Sequence, residues 1–295
     1  MLAVIFGFSG ALVFGCADFI GGLASRRLNP YLVTWLAALT GFIGVFLVTL
    51  ISGGELSLEA IMWGALSGLA GSIAIVMLYA ALAIGPMSIL SPLGALVSAA
   101  VPVAWAAARG TQLAPLAYGA IALGLIAIVL VGFVPEQNAV RPSARGLLLS
   151  VGSGFGIGLF MICIDQAPTD AGLIPLVANR AVSALVLAAI VGVLVLRGKL
   201  NPPEVDAAEG RTNRVPLTRV ALWMALGTGL VDTTANGLLI AGFQTGELSV
   251  MSVLTAMYPA GTVILAAIFL KERVAPWQAI GLVMAIAAAG LLALS

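Results

Sequence analysis

The sequence predicts an all-α integral membrane protein, with ten transmembrane helices arranged as two inverted five-helix repeats around a central cavity. Three observations carry that prediction. Of 295 residues, 61% are hydrophobic and only 8% charged, with a mean hydropathy of +1.16. A soluble domain carries about 25% charged residues, so a chain of this length cannot wet its surface with so few. The chain also divides at charged residues, Gly and Pro into ten apolar segments, each near the roughly 20 residues that cross about 30 Å of hydrocarbon. Finally, the segments repeat.

The first segment, 2–24, is apolar from Leu2. It lacks the basic region and small-residue cleavage site of a signal peptide, and it carries Asp18, so it reads as a retained span. The segments 30–51, 58–83, 86–108 and 113–134 complete a first half, residues 1–135. The segments 145–164, 171–196, 219–243, 247–270 and 275–294 make a second half, residues 145–295. Joins are short, so neighbouring helices run antiparallel. The exception is 197–218, "RGKLNPPEVDAAEGRTNRVPLT", a polar stretch with three prolines that reads as a solvated loop.

Lys and Arg sort by loop. Those after segments 1, 5, 7 and 9 hold Arg26, Arg27, Arg141, Arg145, Arg197, Lys199, Arg211, Arg214, Arg219, Lys271 and Arg273, eleven in all, against Arg109 alone in the opposite loops. The positive loops belong in the cytoplasm, which places both termini outside the cell membrane and makes "KER" at 271–273 a cytoplasmic turn.

Shifting the chain by 161 residues aligns Gly68 with Gly229, Gly85 with Gly246, Ser88 with Ser249, Ser91 with Ser252 and Pro115 with Pro276, in one gap-free register. Pro30 and Pro175 suggest a 145-residue shift for the second and seventh segments, pairing Arg180 with Trp35. A 144-residue shift for the first and sixth pairs Asp18 with Ile162. Five spans per half is odd, so the second half enters the membrane inverted. Inverted repeats are a transporter architecture with the substrate near the midplane.

The stretch "YPAGTVILAAIFLKERVAPWQAIGLVMAIAAAGLLAL" (258–294) resembles the closing helix pair of the EamA family, in the drug/metabolite transporter superfamily. "FGCADFIGGLASRRLNP" (14–30) and "LVDTTANGLLIAGFQTGELSVMSVL" (230–254) are similar to a bacterial branch of it. The resemblance spans the chain. It implies a ten-helix basket whose cavity is lined chiefly by helices 1, 3, 4, 6, 8 and 9. It also implies movement of small metabolites such as amino acids, nucleotide derivatives or amphiphilic compounds, often outward. Many relatives have cytoplasmic termini, whereas the charge pattern here places them outside, so import and export both stay open.

Ionisable groups inside a bilayer are expensive and mark pathways. Asp18 lies on a face with Gly7, Ala11, Gly15 and Gly22 that permits close helix approach. It is a candidate proton or cation site, or else an interfacial acid neutralised by Arg26 or Arg27. Asp232 shares a face with Gly229, Thr233 and Asn236, and Arg180, beside Asn179, is its expected counter-ion. That pair is either substrate-binding or a structural lock. Trp35, Tyr79 and Tyr258 are candidate aromatic walls for a cation, while Trp105 and Trp223 read as interfacial anchors. Ser91 and Ser252 open the fourth and ninth segments, and Pro259 can bend the ninth.

Cys16 and Cys163 sit in apolar runs, and the chain has no histidine, which disfavours metal and triad chemistry. There is no phosphate-binding loop, so uphill movement requires a gradient or exchange. No enzyme activity, cofactor, metal or nucleic-acid partner is expected. The expected partners are a lipid bilayer, a small-molecule substrate and protons, for a monomer or homodimer. A secondary transporter of an amino acid, other zwitterion or organic cation is the leading reading. A non-transporting membrane partner, or an exporter of amphiphilic drugs or sugars, is the alternative.

Overall fold

With no water in the hydrocarbon core, a spanning backbone must satisfy its own N–H and C=O groups, and a helix does so within one segment. A computed structural model describes residues 2–25, 27–84, 87–132, 142–200, 217–269 and 275–294, and among them there is no strand. The first half contains α1 (Leu2–Ser25), α2 (Pro30–Ser52), α3 (Leu58–Ile84), α4 (Met87–Ala108) and α5 (Pro115–Gly132). The second contains α6 (Ala144–Asp165), a 3₁₀ turn (Thr169–Ala171), α7 (Ile174–Leu196), α8 (Leu217–Phe243), α9 (Leu248–Ala256), α10 (Pro259–Phe269) and α11 (Pro276–Leu294).

Local chemistry sets the boundaries. Prolines open α2, α5, α10 and α11, where a missing N–H is harmless and the fixed φ is already helical. The Asn29 side chain accepts from Tyr31 N–H at 3.0 Å to cap α2, and Ser143 accepts from Gly146 N–H at 3.1 Å to cap α6. Gly53, at φ 73°, ends α2 in a conformation that disfavours side chains.

Six stretches are long and apolar enough to cross a membrane by length and composition, with α9 and α10 counted together, and α4, α5 and α11 offer shorter apolar stretches. α8 has 27 residues, but Asp232, Asn236 and its threonines hold its hydropathy down. The ninth segment is split: Pro259 has no N–H for the helix bond, and Met257 and Tyr258 close 3₁₀-type turns onto Leu254 O and Thr255 O.

The joins after α2, α4, α6 and α8 gather at one end. Glu55 N–H donates to Asp170 O at 3.1 Å, Arg109 Nη1 to Gln166 Oε1 at 2.7 Å, and Gln244 Nε2 to Thr169 O at 3.3 Å. Val4 and Leu292 share one apolar cluster at that end, so the first and last helices start and finish there. At the opposite end Ala24 packs with Val33 and Ala225, close in sequence to Arg27 and Arg219. The charge asymmetry thus falls on two ends of the molecule, with Arg109 the one described cation at the first. Lys271, Glu272 and Arg273 lie outside the described residues.

Among the described residues, the extensive helix pairings all join the first half to the second. They come in matched sets: α1 on α8 answers α6 on α3, α2 on α8 answers α7 on α3, and α1 on α9 and α10 answers α6 on α4. Small residues fix the register. Gly64 abuts Pro175 and Gly68 abuts Asn179, while Ala225 packs with Val33 and Gly229 abuts Ala37. On α3 and α8 these positions are 161 residues apart, as the sequence alignment has it. On α2 and α7, Val33 and Pro175, like Ala37 and Asn179, are 142 apart. The same offset relates Gly10 against Leu238 to Gly152 against Met77. The 145- and 144-residue shifts are therefore corrected to 142, which pairs Arg180 with Ala38 rather than Trp35, and Asp18 with Phe160 rather than Ile162.

A close crossing also joins α1 and α10. A methyl group on Gly15 would come within 2.6 Å of Gly261 Cα and 2.7 Å of both Thr262 N and Tyr258 O, all backbone atoms. Gly15→Ala is therefore expected to destabilise the protein by about 1–3 kcal/mol, the usual range for overpacking, read as a lower midpoint of thermal unfolding in detergent. Gly22→Ala, with nothing within 4 Å of the added methyl, is the control and should not lower that midpoint.

Candidate functional site

α7 and α8 bring their polar residues together within the membrane-spanning part. Arg180 forms an ion pair with Asp232, the partner expected from the sequence; their side chains are 12% and 27% exposed. Asn236, one turn along α8, donates through Nδ2 to Asp232 O at 2.8 Å, and the same nitrogen lies 3.5 Å from Oδ2. Asp232 is thereby held from two sides.

The guanidinium is only partly used. Arg180 Nε and Thr233 Oγ1 are buried and have no hydrogen-bond partner among the described residues. Both border Gly41 of α2, where an added methyl would strike Thr233 Oγ1 and lie 3.5 Å from Arg180 Cδ. A glycine here lets three helices converge on the arginine. Gly41 was not singled out from the sequence; its one signal was a glycine beside Thr40 in mid-span.

Asp18 of α1 completes the group. Its side chain is exposed, yet it is deep in protein, within electrostatic reach of Asp232 and of Tyr258. Asp18, Asp232 and Arg180 thus bring two carboxylates and one guanidinium together, and the ion pair of Arg180 with Asp232 is the one such pair among the described residues. Tyr258 stands at the α9–α10 break, with its carbonyl accepting from Gly261 N–H at 3.1 Å.

Other candidates are placed elsewhere. Asn179 is 3% exposed and donates through Nδ2 to Ser67 Oγ at 2.8 Å, joining α7 to α3. Ser252 is fully buried and donates to Ser249 O at 3.0 Å within α9. Trp35 packs against Ala38, Ala184 and Leu187, about 9 Å along α2 from Gly41 at 1.5 Å per residue. The side chains of Tyr79 and Ser91 lie outside the described residues. The charged cluster therefore gathers Asp18, Arg180, Asp232, Asn236 and Tyr258, while the described contacts of Asn179, Ser252 and Trp35 lie outside it.

A family model described as "EamA-like transporter family" matches residues 144–294. No curated protein matches the sequence. A solved structure described as "Crystal structure of protein" is similar over 99% of this chain and 96% of that one, with a TM-score of 0.74 and 18% identity. At that identity the likeness speaks to the fold.

Proposed function

The chain belongs to the EamA-like transporter family, within the drug/metabolite transporter superfamily, and from that premise we propose that it is a secondary transporter for a small zwitterion or organic cation. Amino acids come first, and amines or quaternary ammonium compounds second. The carrying observation is the cluster of Asp18, Asp232 and Arg180 inside the apolar bundle. Two carboxylates against one guanidinium leave an excess negative charge that an ammonium group complements. The Nε–H of Arg180, which has no partner among the described residues, is a donor for a substrate carboxylate. A bulky polyanion would require more than one buried base.

Movement would be by alternating access between two inverted five-helix repeats, 1–135 and 145–295, driven by a proton gradient or by exchange. The matched helix pairings and the offsets of 161 and 142 residues support that arrangement. In the proposed topology the Arg27 and Arg219 end is cytoplasmic in the cell (inner) membrane and both termini are outside. A C-terminal reporter active only in the cytoplasm should then stay dark, and a bright signal overturns the orientation.

The function is tested with purified protein in sealed proteoliposomes, by measuring uptake of amino acids, amines, quaternary ammonium compounds and sugars. Saturable flux of a zwitterion or organic cation is the expected result. Flux of sugars alone would overturn the substrate class, and no flux across the panel would count against transport.

A further inference from the structure

Asp18 and Phe160 occupy corresponding places in the two halves, and the structure treats them oppositely. Phe160 of α6 lays its ring over Gly71 of α3, where an added methyl would sit 3.6 Å from Cδ2. The corresponding seat on α8, 161 residues on from Gly71, is Asp232, with Asp18 within its electrostatic reach. Asp18 is exposed, whereas Phe160, together with Phe243, packs into three separate apolar clusters. Those clusters contain Leu239, Met251, Leu248, Ile162 and Ile240, each under 9% exposed. Apolar side chains thus pack together on the side of Asp165 and Gln244, while at the related place Asp18 keeps an exposed, charged side chain.

From this pairing we infer that Phe160 is the gate of the sealed end, and that the ring leaving its seat on Gly71 is the motion that opens that end. The inference rests on the transporter reading. Three features fit Phe160 to the task. Its seat is a glycine, so the ring reaches the α3 backbone with no side chain beneath it. Its contacts draw on α3, α6, α7, α8 and α9, so one side chain closes helices from both halves. The contacts are apolar and lack directional bonds, so the ring can withdraw without leaving a buried polar group unpaired. In an inverted-repeat transporter, access alternates by rocking one bundle against the other about a fixed site. A seal on one half that is absent from its counterpart is what such a protein shows when open to one side.

The test reads access directly and does not require knowledge of the substrate. In a Cys16→Ala, Cys163→Ala background, Asp18→Cys provides one thiol in the charged cluster, and a membrane-impermeant maleimide is applied from either face of oriented proteoliposomes. With Phe160 present, the thiol should react readily from the Arg27 end and slowly from the Asp165 end. Phe160→Ala should speed labelling from the Asp165 end by about ten-fold or more, as the sealed population falls. Gly71→Leu, which pushes the ring off its seat but leaves Phe160 in the chain, should act in the same direction. If Phe160→Ala fails to fold, Phe160→Leu replaces it and should give an intermediate rate. Labelling from the Asp165 end that stays within about two-fold of the parent in the folded variants, a change too small for a shifted population, overturns the gate. The transporter reading is judged separately, by flux through the protein with Asp18 and Phe160 intact: an unaltered labelling rate with normal flux removes the gate and leaves the transporter standing.

Discussion

Asp18→Asn is expected to abolish flux driven by a pH gradient while leaving substrate binding measurable by thermal shift. Asp18 and Asp232 are the acids placed well within the spans, and their situations differ. Asp232 is committed to Arg180 and steadied by Asn236, so its charge is matched in place. Asp18 forms no ion pair among the described residues, lies within electrostatic reach of a second carboxylate, and keeps an exposed side chain. A proton or an ammonium group is what such a carboxylate can accept and release. Asparagine keeps the shape and loses the exchangeable charge, so the cavity persists and the coupling does not. Comparing counterflow with pH-driven uptake separates the two effects. Unchanged pH-driven flux in Asp18→Asn would remove Asp18 from the mechanism.

The second large effect is expected at Arg180. Removing one member of a buried ion pair typically costs about 3–5 kcal/mol, because the other charge is left unmatched. The pair here retains some exposure, so Arg180→Ala should fall near the lower end, about 3 kcal/mol, with Asp232 and Asp18 then facing each other without a cation. Denaturation in detergent reads the loss. A double variant, Arg180→Met with Asp232→Leu, should recover much of it, since a well-packed apolar pair is often no worse than a buried ionic one. Charge-conserving swaps decide the role. If Arg180→Lys and Asp232→Glu lower stability but leave substrate affinity unchanged, the pair only locks helices together. If affinity falls as well, the fork geometry of the guanidinium is used on the ligand.

Most helix boundaries were legible in the sequence because the bilayer demands long apolar runs and because proline, glycine and asparagine mark their ends. The Arg180–Asp232 pair was legible too, since each charge in a lipid-facing sequence needs an opposite. The register between the halves was legible only in part. Pro30 and Pro175 mark helix starts, and a start can move by about one turn without disturbing the packing below it. Aligning them overshot the 142-residue offset by three residues. The close approaches at Gly64, Gly68, Gly229 and Gly41 hold the true register, because there the backbones touch. Phe160 was not legible at all. A phenylalanine in an apolar helix reads the same whether it faces lipid or fills a seat on another helix, and only the partner Gly71 tells the two apart.

The cross-pairing of the helices bears on how the protein is made. α1 finds its main surface on α8, α3 on α6 and α7, and α5 on α11, so the first five helices leave the ribosome with their partners not yet synthesised. Between themselves they share only limited contact, and the interhelical bonds of Ser67 with Asn179 and of Thr40 with Leu226 O form only once the second half arrives. Maturation is therefore a late, collective event, closer to the meeting of two subunits than to stepwise addition of helices. A chain severed within 197–218 would still hold the contacts of α6 and α7 to α3 and α4 but would lack α8 until the second fragment was supplied. Assembly would then depend on co-expression, as for a heterodimer whose subunits happen to be encoded in one reading frame.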